Sequence, residues 1–366
     1  MKMDEISTDE LRRKIDALDE ELVRLLAERV QASQLIGREK EKVGLPVLDA
    51  ARERRVLDGV RARAASYGVD ERDMERIYER IMDATKAVQH TTVAFQGEPG
   101  AFSEEAALVF FGRAVSAHPC ETFDGVFTSV ADDRTRFGIV PVENSSEGSI
   151  SRVYDLFLEH DVRVCGETAL RIVHCLIAAP GVALGQVRRV FSHPQALGQC
   201  RNFLSHLGCE LVPAYDTAGS VKMLREQGLT DAAAVAGSRA AELYGMHVLA
   251  KGIEDLQNNY TRFFILSKRD VPPSGEDKTS IVFSVKHEPG ALYEALRVLA
   301  EKRLNLTKIE SRPTRQKPWE YNFYLDFEGH QKDPHFASAL EAMAPHCLFL
   351  RVLGSYPRAK PVWKTL

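Results

Sequence analysis

The sequence predicts a multidomain protein with three architectures in a row. An all-α segment spans residues 1–90, a two-lobed α/β segment 91–270, and a ferredoxin-like α+β segment 278–366. Three observations predict this. A helical stripe of apolar residues fills the first 45 positions. From about residue 91, short apolar runs alternate with helical stretches. After the linker Val271-Pro272-Pro273-Ser274-Gly275-Glu276-Asp277, the elements follow a βαββαβ order.

In the first segment, Leu11, Ile15, Leu18, Leu22 and Leu25 recur at steps of four and three, the period of one helical face. The same line continues through Arg29, Ala32, Ile36 and Lys40. Two cations on a core-facing line are costly unless an anion meets them, so they read as a receptor for a small, multiply negative molecule. Ser7 with Glu10 forms a capping box, and Gly44 and Pro46 end the helix. Roughly 35 residues at ~1.5 Å each give ~50 Å, too long for the core of a small monomer. The expected arrangement is an intertwined helical dimer. A second helix places Asp49, Arg52 and Glu53 on the line of Val56 and Val60. A third carries Met74, Ile77, Ile81, Thr85 and Val88, with Gln89 beside Thr85.

Lys and Arg number 48 against 52 Asp and Glu, a net charge of −4, which implies neither nucleic acid nor an anionic membrane surface as partner. No run approaches 18 apolar residues, and the N-terminus has no signal-peptide pattern. The cysteines at 120, 165, 175, 200, 209 and 347 have no paired spacing, which suggests reduced thiols and a cytoplasmic location. The 11 His residues form no ligand-spaced cluster, so no metal is expected. No P-loop or dinucleotide fingerprint appears.

In the middle segment, strands are expected at Val93–Gly97, Phe137–Val142, Arg189–Ser192, Glu210–Tyr215, Ala232–Ala236 and Tyr260–Ser267, with 162–178 strand-rich. Helices are expected at 103–111, 149–160, 195–207, 217–226 and 238–244. Ser103, Ser149, Gln195, Thr217 and Ser238 stand at or near helix starts that follow strands. Free N–H groups and positive dipole ends there suit a small dianion. In the last segment, strands at 279–287, 306–314, 320–328 and 348–355 and helices at 290–303 and 333–344 give the βαββαβ order.

Particular runs carry resemblances. Leu11-Arg12-Arg13-Lys14-Ile15-Asp16-Ala17-Leu18-Asp19, Leu26-Ala27-Glu28-Arg29, Gly37-Arg38-Glu39-Lys40 and Asp49-Ala50-Ala51-Arg52-Glu53 resemble the all-helical chorismate mutase. The resemblance implies that Arg12 of a partner copy, Arg29 and Arg52 bind substrate carboxylates or neighbouring groups. Lys40 and Gln89 would donate to the ether oxygen, Asp49 and Glu53 would hold the ring hydroxyl, and Thr85 stands where Ser is common. The rearrangement of chorismate to prephenate needs a conformer clamp and donors to a developing oxyanion, with no nucleophile and no metal.

Gly97-Glu98-Pro99-Gly100-Ala101-Phe102-Ser103, Pro141-Val142-Glu143-Asn144-Ser145-Ser146-Glu147-Gly148-Ser149, Ser192-His193-Pro194-Gln195 and Asn258-Asn259-Tyr260-Thr261-Arg262-Phe263 together resemble prephenate dehydratase, which is two-lobed like the periplasmic binding proteins. The resemblance implies Thr261 as proton donor to the departing hydroxyl. Glu143, Asn144 and Gln195 would orient the substrate, and Ser103, Ser149, Thr217 and Ser238 would bind its carboxylates. Arg262 would be a carboxylate partner or a structural ion pair, and His193 a structural residue. Pro289-Gly290-Ala291-Leu292 and Glu310-Ser311-Arg312-Pro313 resemble the ACT regulatory domain in its phenylalanine-sensing form, implying an effector site on those residues.

The order implies a bifunctional enzyme that converts chorismate to phenylpyruvate, is inhibited by phenylalanine and uses no cofactor. It would work as a homodimer or dimer of dimers. The run 96–102 resembles relatives that accept arogenate, so an arogenate dehydratase with an attached mutase is the alternative. A non-catalytic two-lobed amino-acid or anion sensor is the other.

Overall fold

A computed structural model describes residues 8–43, 50–87, 91–112, 115–314 and 319–359, with the side chains at 34, 35, 37–43, 50, 51 and 83–87 outside the description. The chain divides into a helical unit and a larger mixed unit.

The helical unit holds α1 (Thr8–Val43), α2 (Ala50–Ser66) and α3 (Glu71–Ala87). A turn through Gly68, at φ +70°, reverses the chain between α2 and α3. Val60, Ala64 and Met82 are buried, and Arg61 pairs with Glu75 at 2.6 Å. The α1 stripe stays open: Leu11, Ile15, Leu18, Leu22 and Leu25 are 47–56% exposed in the single chain.

The mixed unit begins with β1 (Thr92–Gln96), α4 (Phe102–Phe111), β2 (Ser116–Cys120), α5 (Phe123–Ala131), β3 (Phe137–Asn144), β4 (Gly148–Ser149), α6 (Ser151–Glu159) and β5 (Arg163–Arg171). The chain then crosses to a second sheet built from β6 (Cys175–Ala178), β7 (Arg189–Ser192), α7 (Pro194–Gln199), α8 (Arg201–Leu207), β8 (Glu210–Pro213), α9 (Thr217–Gln227), β9 (Ala232–Ala236), α10 (Ser238–Tyr244) and β10 (His247–Lys251). It returns to the first sheet with β11 (Tyr260–Ser267). The first sheet has the order β2-β1-β3-β11-β5, with β4 on β3, and the second β10-β6-β9-β7-β8. Two lobes result, joined by crossings at residues 172–174 and 252–259. These hydrogen-bond to each other through Ile172 N to Asn259 O (2.8 Å) and Gly252 N to His174 O (2.9 Å).

The two lobes and their alternating elements are as the sequence predicts. The helix expected over 195–207 divides at Cys200 into α7 and α8, and the strand-rich run 162–178 is two strands in different sheets. The sequence reading misses β2, β4, α5 and β10. β2 and β10 are sheet edges: β2 is mostly exposed, and β10 offers only the short apolar run Val248-Leu249-Ala250 between exposed His247 and Lys251.

The ferredoxin-like portion holds β12 (Asp277–Ser284), α11 (Ala291–Glu301), β13 (Leu306–Pro313), β14 (Tyr321–Glu328), α12 (Pro334–Met343) and β15 (Phe349–Pro357). Its antiparallel sheet runs β13-β14-β12-β15. Ile281, Phe283, Leu325 and Phe327 pack with Ala295, Leu299 and Met343 to form its core. The β15 edge lies against β5. A Cβ on Gly354 would stand 2.0 Å from the Val164 carbonyl oxygen, and Arg163 Nη1 donates to Val352 O at 2.8 Å. Only glycine allows that approach.

Candidate active site

A cleft of about 360 Å³ opens between the lobes, within the usual range for small-molecule sites. Ser103, Asn144, Gln195, Thr217 and Thr261 line it, joined by Phe102, His174, His193, Gln199, Tyr215 and Asp216. The first turns of α4, α7 and α9 face the same space, so three helix N-termini supply N–H donors and positive partial charge. The caps are partly not the residues expected. Asp216 Oδ1 accepts from Gly219 N at 2.7 Å ahead of α9, and His193 Nδ1 from Gln195 N at 3.3 Å ahead of α7. Burial raises the Asp216 carboxyl above its ordinary value.

Among the described lining residues there is no Lys or Arg. Helix ends and neutral donors there can meet an anion without a full positive charge.

The floor of the cleft is where β3 meets β11. Asn144 and Thr261 are direct cross-strand partners, both nearly buried. The Asn144 amide is pinned without ambiguity. Its Oδ1 accepts from the backbone N–H groups of Ser146 (2.9 Å) and Glu147 (3.1 Å), which can only donate. Its Nδ2 therefore donates, to Asn259 Oδ1 at 2.7 Å and to Thr261 Oγ1 at 2.9 Å. The Thr261 oxygen thus has a lone pair occupied, and its hydroxyl hydrogen is left to donate to a ligand.

Glu143, Ser149, Ser238 and Arg262 do not line this cleft. For Glu143 and Arg262 the reason is the strand period: each is the chain neighbour of a lining residue and points to the opposite face. Arg262 bonds Glu167 and Asp326, each at 2.6 Å, and Lys278 joins Glu167 at 2.8 Å. Burial alone would lower the Arg262 pKa, but Asp326, Tyr356 and Glu167 hold it well above its ordinary value. Of the two readings of Arg262, this geometry is that of a structural ion pair. Glu143 meets Lys308 at 3.0 Å, and Ser149, on β4 rather than in a helix, bonds Glu310.

Family models match the chain in three stretches: chorismate mutase type II over residues 11–90, prephenate dehydratase over 93–271 and ACT domain over 279–344. A bifunctional chorismate mutase/prephenate dehydratase of Aquifex aeolicus (strain VF5) is 40% identical over 356 residues, covering 96% of this chain and 98% of that one. This chain belongs to the bifunctional chorismate mutase/prephenate dehydratase family.

Arogenate dehydratase/prephenate dehydratase 2 of Arabidopsis thaliana is 45% identical over 276 residues, covering 72% of each chain. The crystal structure of a prephenate dehydratase in complex with L-Phe from Arthrobacter aurescens superposes with a TM-score of 0.68 at 33% identity. It covers 73% of this chain and 90% of that one.

In the mutase unit of this bifunctional enzyme, Arg29 and Glu53 are half-buried, and Arg12 and Arg52 are exposed. Asp49 and Gln89 lie outside the described residues, as do the side chains of Lys40 and Thr85. In the ACT domain, Gly290 precedes α11 at φ +85°, with Ala291 and Leu292 in the first turn. Ser311 and Pro313 are exposed on β13, while the Arg312 guanidinium is buried against Asp155 at 3.0 Å. The sequence reading missed His174, Gln199, Asn259, Tyr215 and Asp216. Asn259 stands inside a quoted motif, and nothing local marks the rest.

Proposed function

We propose that the cleft converts prephenate to phenylpyruvate with Thr261 as the proton donor to the departing ring hydroxyl. The observation that carries this is the pinned Asn144 amide, which leaves the Thr261 hydrogen available. As the ring C–O bond breaks, Thr261 shares its proton with the leaving oxygen. The electrons of the breaking bond to the ring carboxylate move into the ring as CO2 departs. Water leaves, the ring becomes aromatic, and Thr261 regains a proton from solvent. Ser103, Gln195 and Thr217 orient the carboxylates at the helix ends.

In the helical unit, Arg29, Arg52 and Glu53, with Lys40, Asp49, Thr85, Gln89 and Arg12 of a second copy, hold the reactive conformer of chorismate. The open α1 stripe supports an intertwined homodimer, alone or as a dimer of dimers. Among the described residues no helix is long and apolar enough to cross a membrane.

Phenylalanine is the effector, and β13 offers the route to the cleft. The Glu310-Ser311-Arg312-Pro313 run meets the dehydratase through Ser149 and Asp155, and Lys308 meets Glu143, the neighbour of Asn144. Lys308→Ala is expected to raise the phenylalanine concentration for half-inhibition more than tenfold while lowering the uninhibited rate less than threefold. Dose–response curves with prephenate check it.

The overall test is incubation of the full chain with chorismate. Phenylpyruvate should form, and less should form with phenylalanine present. Prephenate that accumulates, followed by turnover of arogenate, would move the second activity to arogenate.

A further inference from the structure

The Asn144 amide is one end of a longer chain of hydrogen bonds. Its Nδ2 donates to Asn259 Oδ1, so the other atom of that amide is Nδ2, which donates to Gln199 Oε1 at 3.0 Å. Gln199 Oε1 is therefore an acceptor. It lies 3.0 Å from His174 Nε2, which must then carry the proton. The direction of every bond follows from two backbone N–H groups at Ser146 and Glu147, and it fixes the tautomer of a histidine three side chains away.

His174 is 2% exposed. Its N–H donates to Glu254 Oε2 at 2.9 Å and its carbonyl accepts from Gly252 and Ile253, so its backbone ties the two lobe crossings together. The Phe102 ring stands edge-on to the imidazole at 5.5 Å between centroids. Burial lowers the imidazole pKa, which disfavours the charged ring. Nδ1 is buried and has no hydrogen-bond partner among the described residues. A side chain chosen only to fill this space would avoid that cost.

We infer that His174 is a positioning residue for the dehydratase: as the last donor of the chain through Gln199 and Asn259 it holds the Asn144 amide, whose direction the backbone sets, in place against the Thr261 hydroxyl. This rests on Thr261 as the proton donor. It also gives the crossings a part in the chemistry, since His174 comes from one and Asn259 from the other.

Steady-state kinetics of the full chain with prephenate test it. In His174→Gln the amide nitrogen can occupy the place of Nε2, whereas in His174→Asn it matches only Nδ1, and His174→Leu removes both. His174→Gln should keep kcat within about threefold. The Asn and Leu variants should lower kcat about 10- to 100-fold, by analogy with loss of the outer partner that orients a metal-ligating side chain, with KM moving less than threefold. In a Thr261→Ala background the His174→Leu effect should vanish. Equal loss in the Gln and Leu variants, a loss carried by KM, or additive effects with Thr261→Ala would overturn the positioning role. Full activity in Thr261→Ala alone would instead overturn the proton-donor reading. Should the Leu variant fold poorly, 15N shifts of the wild-type imidazole decide: a protonated Nε2 is expected, and a protonated Nδ1 breaks the chain.

Discussion

Replacing Asn144 with Asp is expected to lower the dehydratase kcat about a thousandfold, the upper range for losing a fixed donor in an active site, while chorismate rearrangement continues at its original rate. The change keeps size and shape but removes the N–H group that points at Thr261. The carboxylate would accept the Thr261 hydrogen, turning the hydroxyl away from the substrate. Thr261→Ala should match this loss, because both variants lack the same donated hydrogen, and Thr261→Ser should retain most of the rate. Measuring both activities on each variant checks the reading. An Asn144→Asp enzyme within tenfold of the original would show that the direction of this bond is immaterial. Mutase activity lost along with the dehydratase would argue against separate sites.

Arg262→Met is expected to destabilise the mixed unit by about 3–5 kcal/mol, the cost of leaving buried charge uncompensated. Glu167 and Asp326 have side chains only 2% and 6% exposed, and the guanidinium lies within 2.6 Å of both. Glu167 would keep Lys278, while among the described residues Asp326 would keep only the neutral Ser280 hydroxyl, at 2.6 Å. Adding Asp326→Asn should therefore restore a large part of the loss. Denaturant unfolding followed by circular dichroism checks both steps. A single variant that unfolds at the original midpoint would mean water reaches the cluster and screens it.

Asn144, Thr261 and Arg262 also mark how much was legible in the sequence. The runs around Asn144 and Thr261 mark both as candidate site residues by residue type and order, and in the structure the two are cross-strand partners. What a linear reading cannot resolve is which way a strand residue points. Glu143 and Arg262 belong to the same motifs, yet they face the regulatory domain. The members of the hydrogen-bond chain escaped for a different reason. His174 and Gln199 are ordinary residues at positions distant from the motif that holds Asn259, and the three meet because the chain passes twice between the lobes. The α1 stripe was legible as a helix face, but among the described residues nothing covers it.

The back-to-back use of β11 has a consequence for how this sequence can change over generations. One residue of the strand faces the cleft and the next contacts the regulatory domain, so a slip of a single position would exchange the two faces. Lengthening or shortening the crossing at 252–259 by one residue tends toward that exchange. Such insertions and deletions should be purged from functional variants far more strongly there than in the loops at the sheet edges. Substitutions that tune inhibition without touching turnover should collect at alternate positions. Sequencing the survivors of a random insertion library, selected for growth without phenylalanine, would display this pattern as a gap over the crossing and β11.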